Sequence, residues 1–176
     1  MFDIEPSFYI LYGIIQNTGT VKSNNTCLLK FTHENIFDWC QYYFNKNNIN
    51  YIVIPKLQLL FDYSNLSTIK KHLLFWLYST NIKTNSIFHP ILFQLTKDEF
   101  NHLLLGWIYS RLDYSLNETE TNRRYFFLFY NELNNYEDLI TLLKLYNIYF
   151  YILSDENDIQ HIYIKCNTEQ LILLKD

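Results

Sequence analysis

Alanine is absent from the chain, and glycine, proline, cysteine and arginine occur only three times each. Each scarcity excludes something. Three glycines are too few for a phosphate-cradling loop or a dinucleotide-binding turn, which need several residues without a Cβ. Cys27, Cys40 and Cys166 are widely spaced, so no pair has metal-ligand spacing. They suit buried small side chains in a reducing compartment better than disulfides. His33, His72, His89, His102 and His161 are scattered as well. None pairs with Cys, Asp or another His at ligand spacing, so no metal or other cofactor is expected. No Ser-His-Asp signature appears either, and no small-molecule substrate is expected. The net charge is −4, whereas a free duplex-DNA binder usually shows a clear basic excess. Apolar runs such as Leu73–Tyr78 fall far short of the ~20 residues needed to span a bilayer. No membrane association is expected. The first residues, Met1 to Pro6, are acidic and lack arginine, unlike a secretory signal or an import presequence.

Asparagine, isoleucine, tyrosine and phenylalanine fill the gap. The scarce residues have GC-rich codons and the abundant ones have AT-rich codons. That bias implies an AT-rich genome, and an organellar one would also explain the missing presequence. A mitochondrial, organelle-encoded protein of the matrix is therefore expected. The 176 residues are 49% hydrophobic and 19% aromatic. That suffices for one domain or two small joined halves.

An internal repeat organises the chain. Ser7–Gln16 and Asp98–Ser110 each read as a helix, and each carries Leu-x-Gly-x-Ile, at Leu11–Ile15 and Leu104–Ile108. Two of the three glycines thus fall at one motif position, 93 residues apart. A glycine inside a helix costs ~1 kcal/mol relative to alanine, so it needs a packing reason. Two helices that cross closely at Gly13 and Gly106 supply one. Leu11, Ile14 and Ile15 would then share a seam with Leu104, Trp107 and Ile108.

The segments after the two helices repeat too. Strands are expected at Thr20–Val21 and Thr26–Thr32, then a helix over Asn35–Asn45, strands at Asn50–Ile54 and Leu57–Tyr63, and a helix over Leu66–Ser79. The second copy reads as strands at Leu112–Leu116 and Arg124–Tyr130, a helix over Asn134–Tyr146, strands at Tyr149–Leu153 and Ile159–Lys165, and a short helix over Thr168–Leu174. Asn48-Ile49 aligns with Asn147-Ile148 at an offset of 99, so the second copy carries about six extra residues, placed in its first hairpin loop. The expected class is α+β, two αββαββα repeats, with 1–79 and 96–176 as the copies and 80–95 as connector.

This order of elements resembles the LAGLIDADG homing endonucleases and intron maturases over nearly the whole chain. The resemblance implies pseudo-twofold symmetry, with two motif helices on the axis and two antiparallel sheets forming a saddle over nucleic acid. In that family the last acid of each motif binds the catalytic divalent metal. The matching positions here are Thr18 and Arg111. The second copy also has Leu112 where the motif ends in glycine. Hard cations need carboxylate-type oxygens, which a threonine replaces poorly and a guanidinium opposes. Asp113, two residues beyond Arg111, would restore one acid under a shifted alignment but not a pair.

Lys22, Lys30 and Lys56 lie on the first copy's hairpins, on sheets that face nucleic acid in the family. Arg111, Arg123 and Arg124 are all the arginines. They suit phosphate contact, or else form a solvated loop with Glu118 and Glu120. Lys70-Lys71-His72 reads as a solvated helix face. Tyrosines on the strands could stack on bases. The resemblance and these losses imply a catalytically inactive, RNA-associated structural component of an organellar ribonucleoprotein, the mitochondrial ribosome being the obvious one. Its partners would be ribosomal RNA and neighbouring proteins. An intron maturase is the alternative reading, and an active endonuclease a third.

Overall fold

The computed structural model describes residues 3–82, 86–111, 122–127, 133–154, 156–157 and 160–167. The first copy runs α1 (Pro6–Thr18), β1 (Gly19–Val21), β2 (Thr26–Lys30), α2 (Glu34–Lys46), β3 (Tyr51–Ile54), β4 (Gln58–Asp62) and α3 (Thr68–Ile82). A 3-10 turn, Pro90–Gln94, leads into α4 (Lys97–Arg111), β5 (Asn122–Phe127), α5 (Leu133–Leu145), β6 (Phe150–Ser154) and β7 (Gln160–Asn167). The fold is α+β. The strand expected at Leu112–Leu116, Asp113 and the helix expected at Thr168–Leu174 lie outside the described residues.

Two antiparallel sheets form. The first has order β1-β2-β4-β3, and the second is described as β5-β7-β6. Each places its copy's last strand centrally, so the halves share one topology. On the first sheet, side chains alternate as a half-buried ladder requires. Val21, Cys27, Leu29, Leu59 and Phe61 face the core and are buried. On the second, Ile162 and Ile164 do the same.

α1 and α4 run through the core. Phe8 to Ile15 are all buried, and so are Leu103 to Tyr109. A helix apolar on every side belongs inside a protein rather than on its surface. α1 starts with Pro6, whose fixed φ and missing N–H suit a first turn.

The repeat extends to backbone detail. α2 ends with Asn48 at φ 56° and α5 with Asn147 at φ 58°. In both copies the next residue's N–H reaches back five positions: Ile49 N–H donates to Phe44 O and Ile148 N–H to Leu143 O, each at 2.9 Å. These are matching Schellman caps, with asparagine accepting the left-handed position. The shared Asn-Ile phrase in the sequence is therefore a helix stop.

Three boundaries differ from expectation. α3 begins at Thr68 and reaches Ile82, past the expected end at Ser79. The β3–β4 turn centres on Lys56 and Leu57, at φ 68° and 54°, rather than on Pro55-Lys56. Within the connector, the Pro90–Gln94 turn has no helical periodicity to announce it. It depends on Pro90 and on His89, whose Nδ1 accepts from Ile91 N–H at 3.0 Å.

Candidate functional site

The site begins where α1 and α4 cross. A Cβ built on Gly13 would lie 2.6 Å from Leu103 O and 3.1 Å from Gly106 Cα. One built on Gly106 would run into Ile10 O and would lie 3.0 Å from Gly13 Cα. The two backbones touch at both glycines. Leu11, Ile14 and Ile15 and Leu104, Trp107 and Ile108 are buried in this region. The crossing also uses Ile10 and Leu103, one turn before each glycine, which the motif pattern does not single out.

Below the crossing, the C-terminal ends of α1 and α4 are joined by polar side chains. Asn17 Nδ2 donates to Trp107 O and to Ser110 Oγ, both at 3.1 Å. Trp107 Nε1 donates to Gln16 Oε1 at 2.6 Å, and Gln16 Nε2 donates to Ile87 O at 3.2 Å. Ile87 N–H in turn donates to Asn135 Oδ1 at 2.9 Å, and Asn135 is buried. This chain of bonds links α4, α1, the connector and α5. Sequence reasoning misses Gln16, Asn17, Ser110 and Asn135, because an uncharged amide carries no signal of its partner.

Thr18 closes α1, and its Oγ1 donates to Ile14 O at 3.0 Å, a bond within its own helix. Arg111 closes α4; its side chain lies outside the described residues. Both helices thus bring the negative ends of their dipoles to this region. Neither position supplies an anionic oxygen, so Thr18 and Arg111 do not fit a divalent cation. Among the described residues, no three His, Cys, Asp or Glu side chains cluster.

The candidate nucleic-acid contacts do not form one patch on the first sheet. Lys30 is exposed at the end of β2, and Phe31 N–H donates to Leu57 O at 2.9 Å. Lys30 and the exposed Lys56 therefore share one end of the sheet. Lys22, also exposed, lies in the β1–β2 turn at the other end, a strand length of ~17 Å away. Between them the outer face carries the register row Thr20–Leu28–Leu60–Ile52, which is apolar apart from one hydroxyl.

On the second sheet, Arg124 is the register partner of Lys165, and Arg123 of Cys166. Lys165 is thus a register neighbour of Arg124, and only the strand pairing identifies it. The neighbouring row is Phe126–Tyr163–Tyr151, in which the two tyrosine rings stack at 5.2 Å. Those two rings use a face on each other.

Lys70-Lys71-His72 is not a free basic face. Lys70 Nζ lies 2.7 Å from Glu5 Oε2, with its side chain only 13% exposed. Tyr43 OH also donates to Glu5, at 2.8 Å. Burial pushes the Glu5 carboxyl up, but the bonds from Lys70 and Tyr43 outweigh it and hold it below its ordinary range. His72 Nε2 is 3.0 Å from His89 Nε2. Among the described residues, no helix is long and apolar enough to cross a membrane.

No protein-family model matches the chain, and no curated protein matches it. Solved structures do. A variant of I-DmoI in complex with its target DNA in the presence of manganese superposes with a TM-score of 0.51 at 11% identity, covering 97% of this chain and 92% of that one. I-DmoI in complex with DNA and manganese gives 0.49 at 13% identity, covering 97% and 94%. A mesophilic variant of the homing endonuclease I-DmoI gives 0.47 at 10% identity, covering 96% and 94%. With the repeat, the crossed glycine helices and the paired sheets, the first of these likenesses shows that the chain has the LAGLIDADG homing-endonuclease fold.

Proposed function

We propose that this chain is a catalytically inactive LAGLIDADG-fold protein, with copies at 1–79 and 96–176 joined by 80–95. In this reading it is an RNA-associated structural component of an organellar ribonucleoprotein, the mitochondrial ribosome. The observation that carries the proposal is the state of the two motif ends. Thr18 is bonded back into its own helix, and Gln16 and Asn17 tie α1 to α4 and the connector. Those side chains hold the seam together and offer no pair of carboxylates to a metal.

The surface supports a shared role in RNA and protein contact. Lys22, Lys30 and Lys56, with Arg111, Arg123 and Arg124, supply local cations for phosphate within a chain of net charge −4. The apolar outer row of the first sheet favours a protein neighbour over nucleic acid there. The codon bias supports an organellar, matrix location.

Co-sedimentation tests this. In a high-magnesium organellar lysate, the endogenous protein should travel with ribosomal subunits. Recovery only with unspliced intron RNA would replace this reading with that of a maturase.

A further inference from the structure

Among the described residues, β3 is one of the two edge strands of the first sheet. Asp62 N–H donates to Asn50 O at 2.9 Å, which sets the phase of the β3–β4 ladder. In an antiparallel ladder, alternate residues turn both backbone groups to the same side. Asn50, Ile52 and Ile54 therefore face β4. Tyr51 and Val53 turn their N–H and C=O groups outward, where none of the described residues bonds them.

Edge strands are usually protected by a charge, a proline within the strand or a bulge. β3 has none of these. No charged residue lies between Lys46 and Lys56, and Ile52 and Val53 are 57% and 56% exposed. An uncharged strand offers nothing to phosphate. It offers two residues' worth of backbone donors and acceptors, flanked by apolar side chains.

We propose that β3 pairs antiparallel with the β3 of a second copy of this chain, about a twofold axis at Ile52. Tyr51 then lies opposite Val53 of the second copy, and every outward N–H and C=O on both edges is closed. Ile52 meets Ile52 of the second copy on the outer face, with Cβ atoms ~4.5–5.5 Å apart. The same register puts Lys56 opposite the uncharged Asn48, so like meets like without charge repulsion. The contact is isologous, and the outer apolar row of one copy continues into the other. The paired area is small, which makes this a weak, concentration-dependent dimer. The proposal rests on the sheet alone and is independent of the ribosomal reading.

Sedimentation equilibrium of the purified chain, from about 1 μM to about 1 mM, spans the range of weak contacts. A monomer–dimer equilibrium is expected. Ile52→Lys and Ile52→Glu should each raise the dissociation constant at least roughly tenfold. Their circular dichroism should match the parent's, because Ile52 is exposed. An equimolar mixture of the two variants should recover the dimer, as opposite charges meet at the axis. A monomer throughout, a dimer indifferent to both substitutions, or open-ended growth through another edge such as β6 would each overturn the proposal.

Discussion

A single methyl group sets how closely the two central helices can approach. Alanine at Gly13 or Gly106 would gain ~1 kcal/mol in helix propensity. Overpacking against an immovable backbone costs ~1–3 kcal/mol, and here the obstacles are the Leu103 and Ile10 carbonyls. Steric cost should win. Gly13→Ala should lower Tm by a few degrees and Gly106→Ala by more, since its Cβ meets the tighter obstacle. A raised Tm in either variant would mean that the helices are not in contact. Both glycines were legible in the sequence because glycine is otherwise so rare. Ile10 and Leu103 were not, since a backbone contact has no residue-type signature. A second residue-scale device is His89. Burial, and then the neighbouring His72, lower its pKa from 6.5 to about 4. The unfolded chain therefore binds the proton first, and His89 favours folding above pH 6.5. That contribution is lost as pH falls from 6.5 towards 4. Protonation also removes the acceptor that caps the Pro90–Gln94 turn. His89→Asn keeps a capping oxygen, so it should flatten the pH dependence of Tm across that window. An unchanged slope would assign the dependence to other groups.

Elements were legible where periodicity and punctuation agreed. The described strands and α2, α4 and α5 fall close to expectation, and the Asn-Ile phrase marks two equivalent helix stops. The Pro90–Gln94 turn was not legible, because tertiary bonds brace it: Tyr146 OH donates to Leu92 O and Leu95 O, each at 2.9 Å. Lys70 reads as solvated in sequence because its partner Glu5 lies 65 residues away. The candidate site divides similarly. Thr18 and Arg111 were visible as motif positions, whereas the clamp formed by Gln16, Asn17 and Ser110 exists only once α1 and α4 are packed together. Asn17→Ala removes its two bonds across the seam, leaving the Trp107–Gln16 bond, at a cost of about 1 kcal/mol. A Tm fall of roughly 2–4 °C is expected for a chain of this size. Calorimetry showing no loss would mean that the clamp contributes nothing to holding the helices together.

For the molecule as a whole, both the structure and the sequence repeat lead to a twofold scaffold whose centre is a helix seam. Its fold was legible because Gly13 and Gly106, and Asn48 and Asn147, recur at equivalent places in the two copies. Its surface was less so, since strand register decides which cations are neighbours. Lys30 and Lys56 share one end of a sheet, Lys22 lies at the other, and Lys165 appears only as the partner of Arg124. The proposed function makes this a scaffold kept without its chemistry. The most direct test incubates the purified protein with a randomised duplex-DNA library and magnesium or manganese, and sequences the resulting ends against a chelator control. No metal-dependent ends are expected. Site-specific cleavage that requires the metal and is lost in Asp113→Asn would contradict the proposed loss of catalysis.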